Sequence, residues 1–482
     1  MTDMTKTFHL AVDLGATSGR TILATFDGKK VDMQEIARYN YPMLPIGNHQ
    51  YWNLPLIYQQ ILESMTKCAE ILEGMPEKPA LKSIGIDTWG CDVAYFHKDG
   101  SIASLPYCYR DSHTAGAVER FCKEMPKEEV YAKTGIQFMD FNTLFQLDTI
   151  RRNNPEILDT ADKILFIPDA ISYLLTGKAV TERTVASTSQ ILNPNTGDLD
   201  DVLLAKVGLS RDKFGPMIEP GEQIGTLIPR LAEITGLGEV PVVAVAGHDT
   251  ASAVAAVPTP DKDYAYLSCG TWSLLGIENE GPIITEKSLE YNFTNEGGVD
   301  GTIRVLKNIT GLWLFERCRE DEAFKNAPKD IAALCALYLE SDCPSIINPD
   351  DPSFANPESM TKAIDEYCEK TGQTKPETPA DYIRVVYRSL AHRYGEITEW
   401  LRELSPVEIK RLHVIGGGSR NAHLMQMAAD ELGIPVVAGP AECTALGNVL
   451  MQLRACKSLS SLKEMREVAI NSTETVTFNP SK

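Results

Sequence analysis

The sequence predicts an α/β protein of two domains, and three observations predict it. The chain has 482 residues, beyond the roughly 250–300 at which one hydrophobic core usually splits. Apolar strand patterns alternate with helical ones, as in α/β layering. A strand–turn–strand pattern near the start recurs about halfway along, so both halves open in the same way. Together these divide the chain into domains at 1–246 and 247–482.

The elements follow in order. Residues 8–13, FHLAVD, form an apolar strand. A glycine-rich turn, LGATSGR, covers 14–20, and TILATF at 21–26 is a second strand before Gly28. A Walker A or dinucleotide-binding loop must open into a helix. This one opens into a strand, which excludes both and leaves a hairpin suited to clasping phosphate. Residues 56–72 carry apolar Ile57, Ile61, Met65, Cys68 and Leu72 at helical spacing. Strands follow at 81–86 and 163–167. Another, at 240–246, leads into GHDT and a small-residue helix at 251–257. The second hairpin pairs 264–268 with 272–277 across Cys269, Gly270 and Thr271. Residues 348–379, rich in Pro, Asp and Lys, read as a surface excursion with its own helix. Residues 412–418 form a strand entering a triple glycine, before a helix at 421–432.

Composition narrows the function classes. Apolar residues at 43% and charged residues at 23% are ordinary for a globular chain. A net charge of −20 argues against nucleic acid as a partner, since phosphate backbones need a basic footprint. Any phosphate site must therefore act locally, through backbone N–H groups, a metal and a few cations. Eleven cysteines without a Cys-x-x-Cys pair read as free thiols in a reducing compartment. No run approaches the roughly 20 apolar residues that span a bilayer. The expectation is a cytoplasmic protein without a membrane partner, a monomer or small homo-oligomer.

Five motifs carry chemistry. Asp13 ends an apolar strand with Gly15, Gly19 and Arg20 behind it. An Asp there can hold a divalent cation through water, while Gly15 and Gly19 let the backbone approach phosphate oxygens and Thr17, Ser18 and Arg20 can donate to them. Alternatively, the Asp satisfies N–H groups of a tight hairpin. Gly85 to Asp92, GIDTWGCD, puts polar residues at the carboxyl end of a strand, where open α/β sheets bind ligands. Trp89 there is either a sugar-site wall or a core residue. His248, Asp249 and Thr250 stand between a buried strand and a helix. Asp249 can take the proton of an attacking hydroxyl, or Asp249 or Thr250 can simply cap the helix. Gly270 and Thr271 can grip a phosphate by N–H and hydroxyl, or form only a turn. Gly416 to Gly418 leave room for a flat base, or serve as a strand-to-helix loop.

Taken together, VDLGATSGR, GIDTWGCD, YRDSHT, AGHDTASAV, YLSCGTWSLLG, NEGG with RVLKNITGLWLFER, and IGGGSRNAHLMQ resemble the FGGY carbohydrate kinases, in order and over nearly the whole chain. The resemblance implies two ribonuclease H-like domains of the actin-like ATPase type with an interdomain active-site cleft. It implies transfer of the γ-phosphoryl group of ATP, with Mg²⁺, to O1 of a small-molecule ketose, L-rhamnulose. By the same resemblance, residues 16–20 line the ATP phosphates and Asp13 contributes to the metal site. Gly90, His248, Asp249 and Thr250 contact sugar, with Asp249 as proton acceptor. Thr271, Asn308, Glu316 and Gly417 fall in the nucleotide site. Two positions depart from the pattern: Glu316 stands where Gln is frequent, and His113 where Arg is common. A kinase for fuculose or xylulose, a sugar-independent actin-like ATPase and a sugar-sensing regulator are the rival readings.

Overall fold

The computed structural model describes residues 6–16 and 18–481. It contains two compact units. Met1–Pro260, Glu278–Val305 and Cys443–Ser472 form the first, and Asp261–Ile277, Leu306–Glu442 and Thr473–Lys482 the second.

The first unit is built on a sheet opened by β1 (Thr7–Leu14), β2 (Ser18–Phe26) and β3 (Val31–Asn40). Helix α1 (Leu54–Glu73) follows. Asn53 accepts from the Leu56 N–H at its start, and the predicted stripe Ile57, Ile61, Met65, Cys68 and Leu72 is buried. The sheet continues with β4 (Leu81–Thr88). Helices α2 (Thr143–Asn153) and α3 (Ile167–Thr176) come next, then β5 (Gln223–Thr226), β6 (Pro241–Val243) and helix α4 (Asp249–Ala255). Strand order is β5-β6-β4-β1-β2-β3. β1 pairs antiparallel with β2 and parallel with β4, and β4 is parallel to β6. Parallel strands at a sheet centre are covered on both faces, and all of β4 except Lys82 is buried.

The second unit repeats this plan. β7 (Tyr264–Cys269) and β8 (Trp272–Asn279) form its hairpin. The chain then passes through β9 (Thr294–Gly297) and β10 (Ile303–Thr310) into α5 (Trp313–Glu320). The excursion at 348–379 does carry a helix, Met360–Lys370. Helix α6 (Pro379–Leu404) starts with a capping box between Thr378 and Asp381. β11 (Arg411–Ile415), α7 (Ala422–Leu432) and β12 (Val436–Ala438) follow. Last come α8 (Cys443–Ala455), α9 (Leu462–Ser472) and β13 (Val476–Phe478). The order β10-β8-β7-β11-β12 matches β3-β2-β1-β4-β6, an antiparallel hairpin extended by parallel strands. The two-domain fold and the repeated hairpin expected from the sequence are both present.

Helices α8 and α9 close the first unit from the far end of the chain. Gly447 lets α8 touch α4: a Cβ there would lie 1.8 Å from the Ser252 carbonyl oxygen. Gly85 does the same for β4, where a Cβ would lie 2.5 Å from Asn448 Oδ1.

Candidate active site

The β1–β2 register sets Asp13 opposite Arg20, and the β1–β4 register sets it beside Asp87. Arg20 donates Nε and Nη2 to Asp13 Oδ2 at 2.9 and 2.7 Å. This charge-assisted contact fixes both side chains at the hairpin mouth. Ala16 lies in the turn and Ser18 opens β2, with the Gly15 N–H donating to the Ser18 carbonyl at 3.0 Å. Gly19 is required by packing, since a Cβ would come within 2.4 Å of the Tyr39 ring. Thr17 lies outside the described residues.

Asp87 is completely buried. Burial drives its carboxyl well above the ordinary range, and the charges of Asp13 and Asp249 add to this. A hydrogen bond of 2.6 Å from Asn448 on α8, and Arg20, act against it. Its Oδ1 has no hydrogen-bond partner. Facing carboxylates with an unsatisfied buried oxygen suit a divalent cation. Among the described residues no three acidic, His or Cys side chains converge as direct metal ligands. A hydrated ion held through water by Asp13 fits that donor set.

His248, Asp249 and Thr250 open α4. Thr88 N–H donates to the Gly247 carbonyl at 2.9 Å, tying this corner to β4. His248 occupies the N-cap position without a side-chain cap bond. Asp249 therefore does not cap the helix, although its Oδ1 accepts from Thr250 N–H and Oγ1 at 2.5 and 3.1 Å. The Asp249 side chain keeps 29% of its surface accessible. Desolvation raises its carboxyl, and Asp13 adds to this. His248 Nε2 stands 3.5 Å from Asp249 Oδ1. Behind the imidazole lie Glu296 and Arg304. His248 Nδ1 is 3.3 Å from Glu296 Oε2 and 3.1 Å from Arg304 Nη2. Burial would raise Glu296, but the Arg304 guanidinium holds it below the usual range.

Gly90 packs against Thr188, where a Cβ would come within 2.8 Å of Oγ1. Trp89 is buried and donates to Asp92 at 2.9 Å, so it is a core residue and not an open wall. Asp92 also accepts from Trp52 at 2.5 Å and from Gln146 at 2.8 Å. Burial still raises its carboxyl to about 6. The YRDSHT segment is tied down by its own aspartate. Asp111 is buried, and its Oδ1 is shared by His113 and His49 at 2.9 and 3.0 Å.

In the second unit, Thr271 sits in the β7–β8 turn. Its carbonyl accepts from Gly311 and Trp313 N–H at 3.1 and 3.2 Å. Gly270 N–H is spent on the Trp272 carbonyl at 2.8 Å, which removes it as a phosphate donor. Asn308 lies on β10. Glu316, on α5, pairs with Arg319 at 2.6 Å. Gly416 and Gly418 pack against Cys269, whereas a Cβ at Gly417 would meet nothing within 4 Å. Of the triple glycine, Gly417 alone has open space beside it.

Sequence reasoning missed Trp52, Glu296, Arg304, Asn448 and Gln452. Asn448 and Gln452 left a signal, two amides one turn apart in an otherwise apolar helix.

Two hairpin-opened sheets, with an aspartate at the carboxyl end of a central strand and another leading a helix, fit a phosphotransferase of the sugar-kinase class. The N-terminal domain of the FGGY family of carbohydrate kinases matches residues 8–256, and the C-terminal domain 265–456. The chain belongs to this family and is a carbohydrate kinase. It is 50% identical over 479 residues to a rhamnulokinase of Bacteroides thetaiotaomicron, covering 98% of this chain and 96% of that protein. It is 40% identical over 465 residues to a rhamnulokinase of Mannheimia succiniciproducens, covering 95% and 92%. Among solved structures, gluconate kinase from Lactobacillus acidophilus superposes with a TM-score of 0.81 at 15% identity, covering 99% of this chain and 94% of that one. That likeness speaks to fold alone.

Proposed function

We propose that this chain transfers the γ-phosphoryl group of ATP to O1 of L-rhamnulose in the cytoplasm, giving L-rhamnulose 1-phosphate and ADP. Two near-full-length relatives named rhamnulokinase support the sugar. The observation that carries the chemistry is Asp249, a partly accessible carboxylate with a raised proton affinity at the start of α4. It orients the O1 hydroxyl and takes its proton as the O1–P bond forms and the bond from phosphorus to the ADP oxygen breaks. Gly90, His248 and Thr250 hold the ketose beside it. Ala16 to Arg20 receive the phosphates, and Thr271, Asn308, Glu316 and Gly417 the rest of the nucleotide. Mg²⁺ bound at Asp13 through water would neutralise charge on the phosphates. In this reading residues 1–246 supply the phosphate hairpin and the sugar contact at Gly90, and 247–482 the sugar contacts at His248 and Thr250, the proton acceptor and the nucleotide contacts.

Coupled ADP release tests the proposal with L-rhamnulose, L-fuculose, D-xylulose and no sugar. The expected result is turnover dominated by L-rhamnulose. Preference for another ketose would reassign the substrate. Equal turnover without sugar would replace the reading with an actin-like ATPase.

A further inference from the structure

We propose that Arg304 and Glu296 are positioning residues that hold His248 as a neutral imidazole with its single N–H on Nε2, the nitrogen facing Asp249. This rests on the role of Asp249 given above. The argument begins with donor inventory. A guanidinium donates and never accepts. Arg304 Nη2 stands 3.1 Å from His248 Nδ1 and 3.1 Å from Glu296 Oε2. Nδ1 must therefore offer a lone pair to Arg304, and the ring proton falls on Nε2, 3.5 Å from Asp249 Oδ1. From there it can restrain the carboxylate or meet a sugar hydroxyl.

Glu296 alone would select the opposite state. Its Oε2 lies 3.3 Å from Nδ1 and would draw the ring proton there. A lone pair on Nε2 would then face the Asp249 carboxylate. Arg304 decides between the two tautomers, and Glu296 holds Arg304 in place.

The burial of this pair supports a purpose beyond stability. The Arg304 side chain has no accessible surface and that of Glu296 has 5%. Buried ion pairs seldom repay their desolvation. This one is not arranged to maximise its own bonding, since Glu296 Oε2 and Arg304 Nη1 lack hydrogen-bond partners. The surrounding backbone is fixed with care instead. Arg304 Nε donates to the Gly297 carbonyl at 3.0 Å, Gly297 N–H to Ser187 Oγ at 2.7 Å, and His248 N–H to Thr184 Oγ1 at 3.2 Å.

The test is nitrogen NMR of the imidazoles of the full-length protein without substrate, with the His248 signals assigned by their loss in His248→Gln. The wild type should show protonated Nε2 and unprotonated Nδ1. Arg304→Met should move the proton to Nδ1 and lower kcat by up to about 100-fold, with KM for ATP unchanged. Because that variant strands a buried carboxylate, Arg304→Met/Glu296→Gln is made alongside it. The Gln amide can donate to Nδ1, so the pair should restore the wild-type ring signature and much of kcat. A wild-type ring protonated at Nδ1, or a folded double variant with its proton at Nδ1, overturns the proposal. The ring signature is read without turnover, so it stands or falls separately from the choice of sugar.

Discussion

At the scale of single residues, Asp249 and His9 make opposite uses of burial. Asp249 keeps an accessible face while desolvation raises its proton affinity, which suits a group that must accept a proton during turnover. Replacing it with Asn keeps the shape and removes the acceptor. Asp249→Asn should bind ATP and sugar nearly as the wild type does and lose about 10²–10⁴-fold in kcat; steady-state kinetics with calorimetric binding checks this. His9 is buried between Ser83 Oγ at 2.8 Å and Thr7 Oγ1 at 3.0 Å. Burial, with Lys82 adding, lowers its imidazole from 6.5 to about 4. As pH falls below 6.5 the unfolded chain takes up a proton that the folded chain refuses until about 4. The contribution is present above 6.5 and lost toward 4, amounting to roughly 3 kcal/mol. Urea unfolding near those two limits should show the wild type losing about that much more stability than His9→Gln, in which this position does not titrate.

At the scale of elements, legibility follows from how local the cause is. The stripe of α1, the strands of both hairpins and the α7 boundary were readable because period and capping act within a few residues. Asp13, His248 and Asp249 were readable as strand-end and helix-start residues, although the bond that fixes Asp13 to Arg20 was not. The role of Trp89 was open in the sequence because nothing in TWGCD shows that its indole donates to Asp92 beside Trp52. The two amides Asn448 and Gln452 stand out in the sequence, but their pairing with Asp87 does not, because 361 residues separate Asp87 from Asn448. Helix α8, buried on every side from Ala445 to Leu453, has no polar face to reveal a period. Its contact with α4 gives an element-level prediction. In Gly447→Ala the new methyl meets the backbone of Ser252, which cannot rotate away. The helices must separate, costing about 1–3 kcal/mol or more. Because α4 begins at Asp249, kcat should fall as well. Unfolding midpoints and kinetics check the two together, and unchanged values of both would mean the crossing is looser than described.

At the scale of the whole molecule, chain order and compact units do not coincide. The first unit takes its sheet from residues before 260 and two of its helices from Cys443–Ser472. Those helices are not an outer layer. Gln452 Nε2 donates to the Leu10 carbonyl at 3.0 Å, Asn448 donates to Asp87, and Arg466 pairs with Glu278. Cys443 and Ala445 to Leu453 are buried, as are Met465 and Ala469. A chain ended after residue 442 would expose the apolar faces of β1, β4 and α4 that these helices cover. It would also strand Asp87 without its amide partner, a buried carboxylate that burial already disfavours. Each consequence costs several kcal/mol in a fold whose net stability is usually only about 5–15 kcal/mol. The truncated chain should therefore lack a cooperative urea transition for the first unit and be cut rapidly by protease within 1–260. Supplying 443–482 as a separate fragment should restore protection in proportion to its concentration, as mass action requires. A truncated chain that unfolds cooperatively and resists protease without that fragment would show that the sheet and α1 suffice by themselves, and that the returning helices are an addition to the unit and not part of its core.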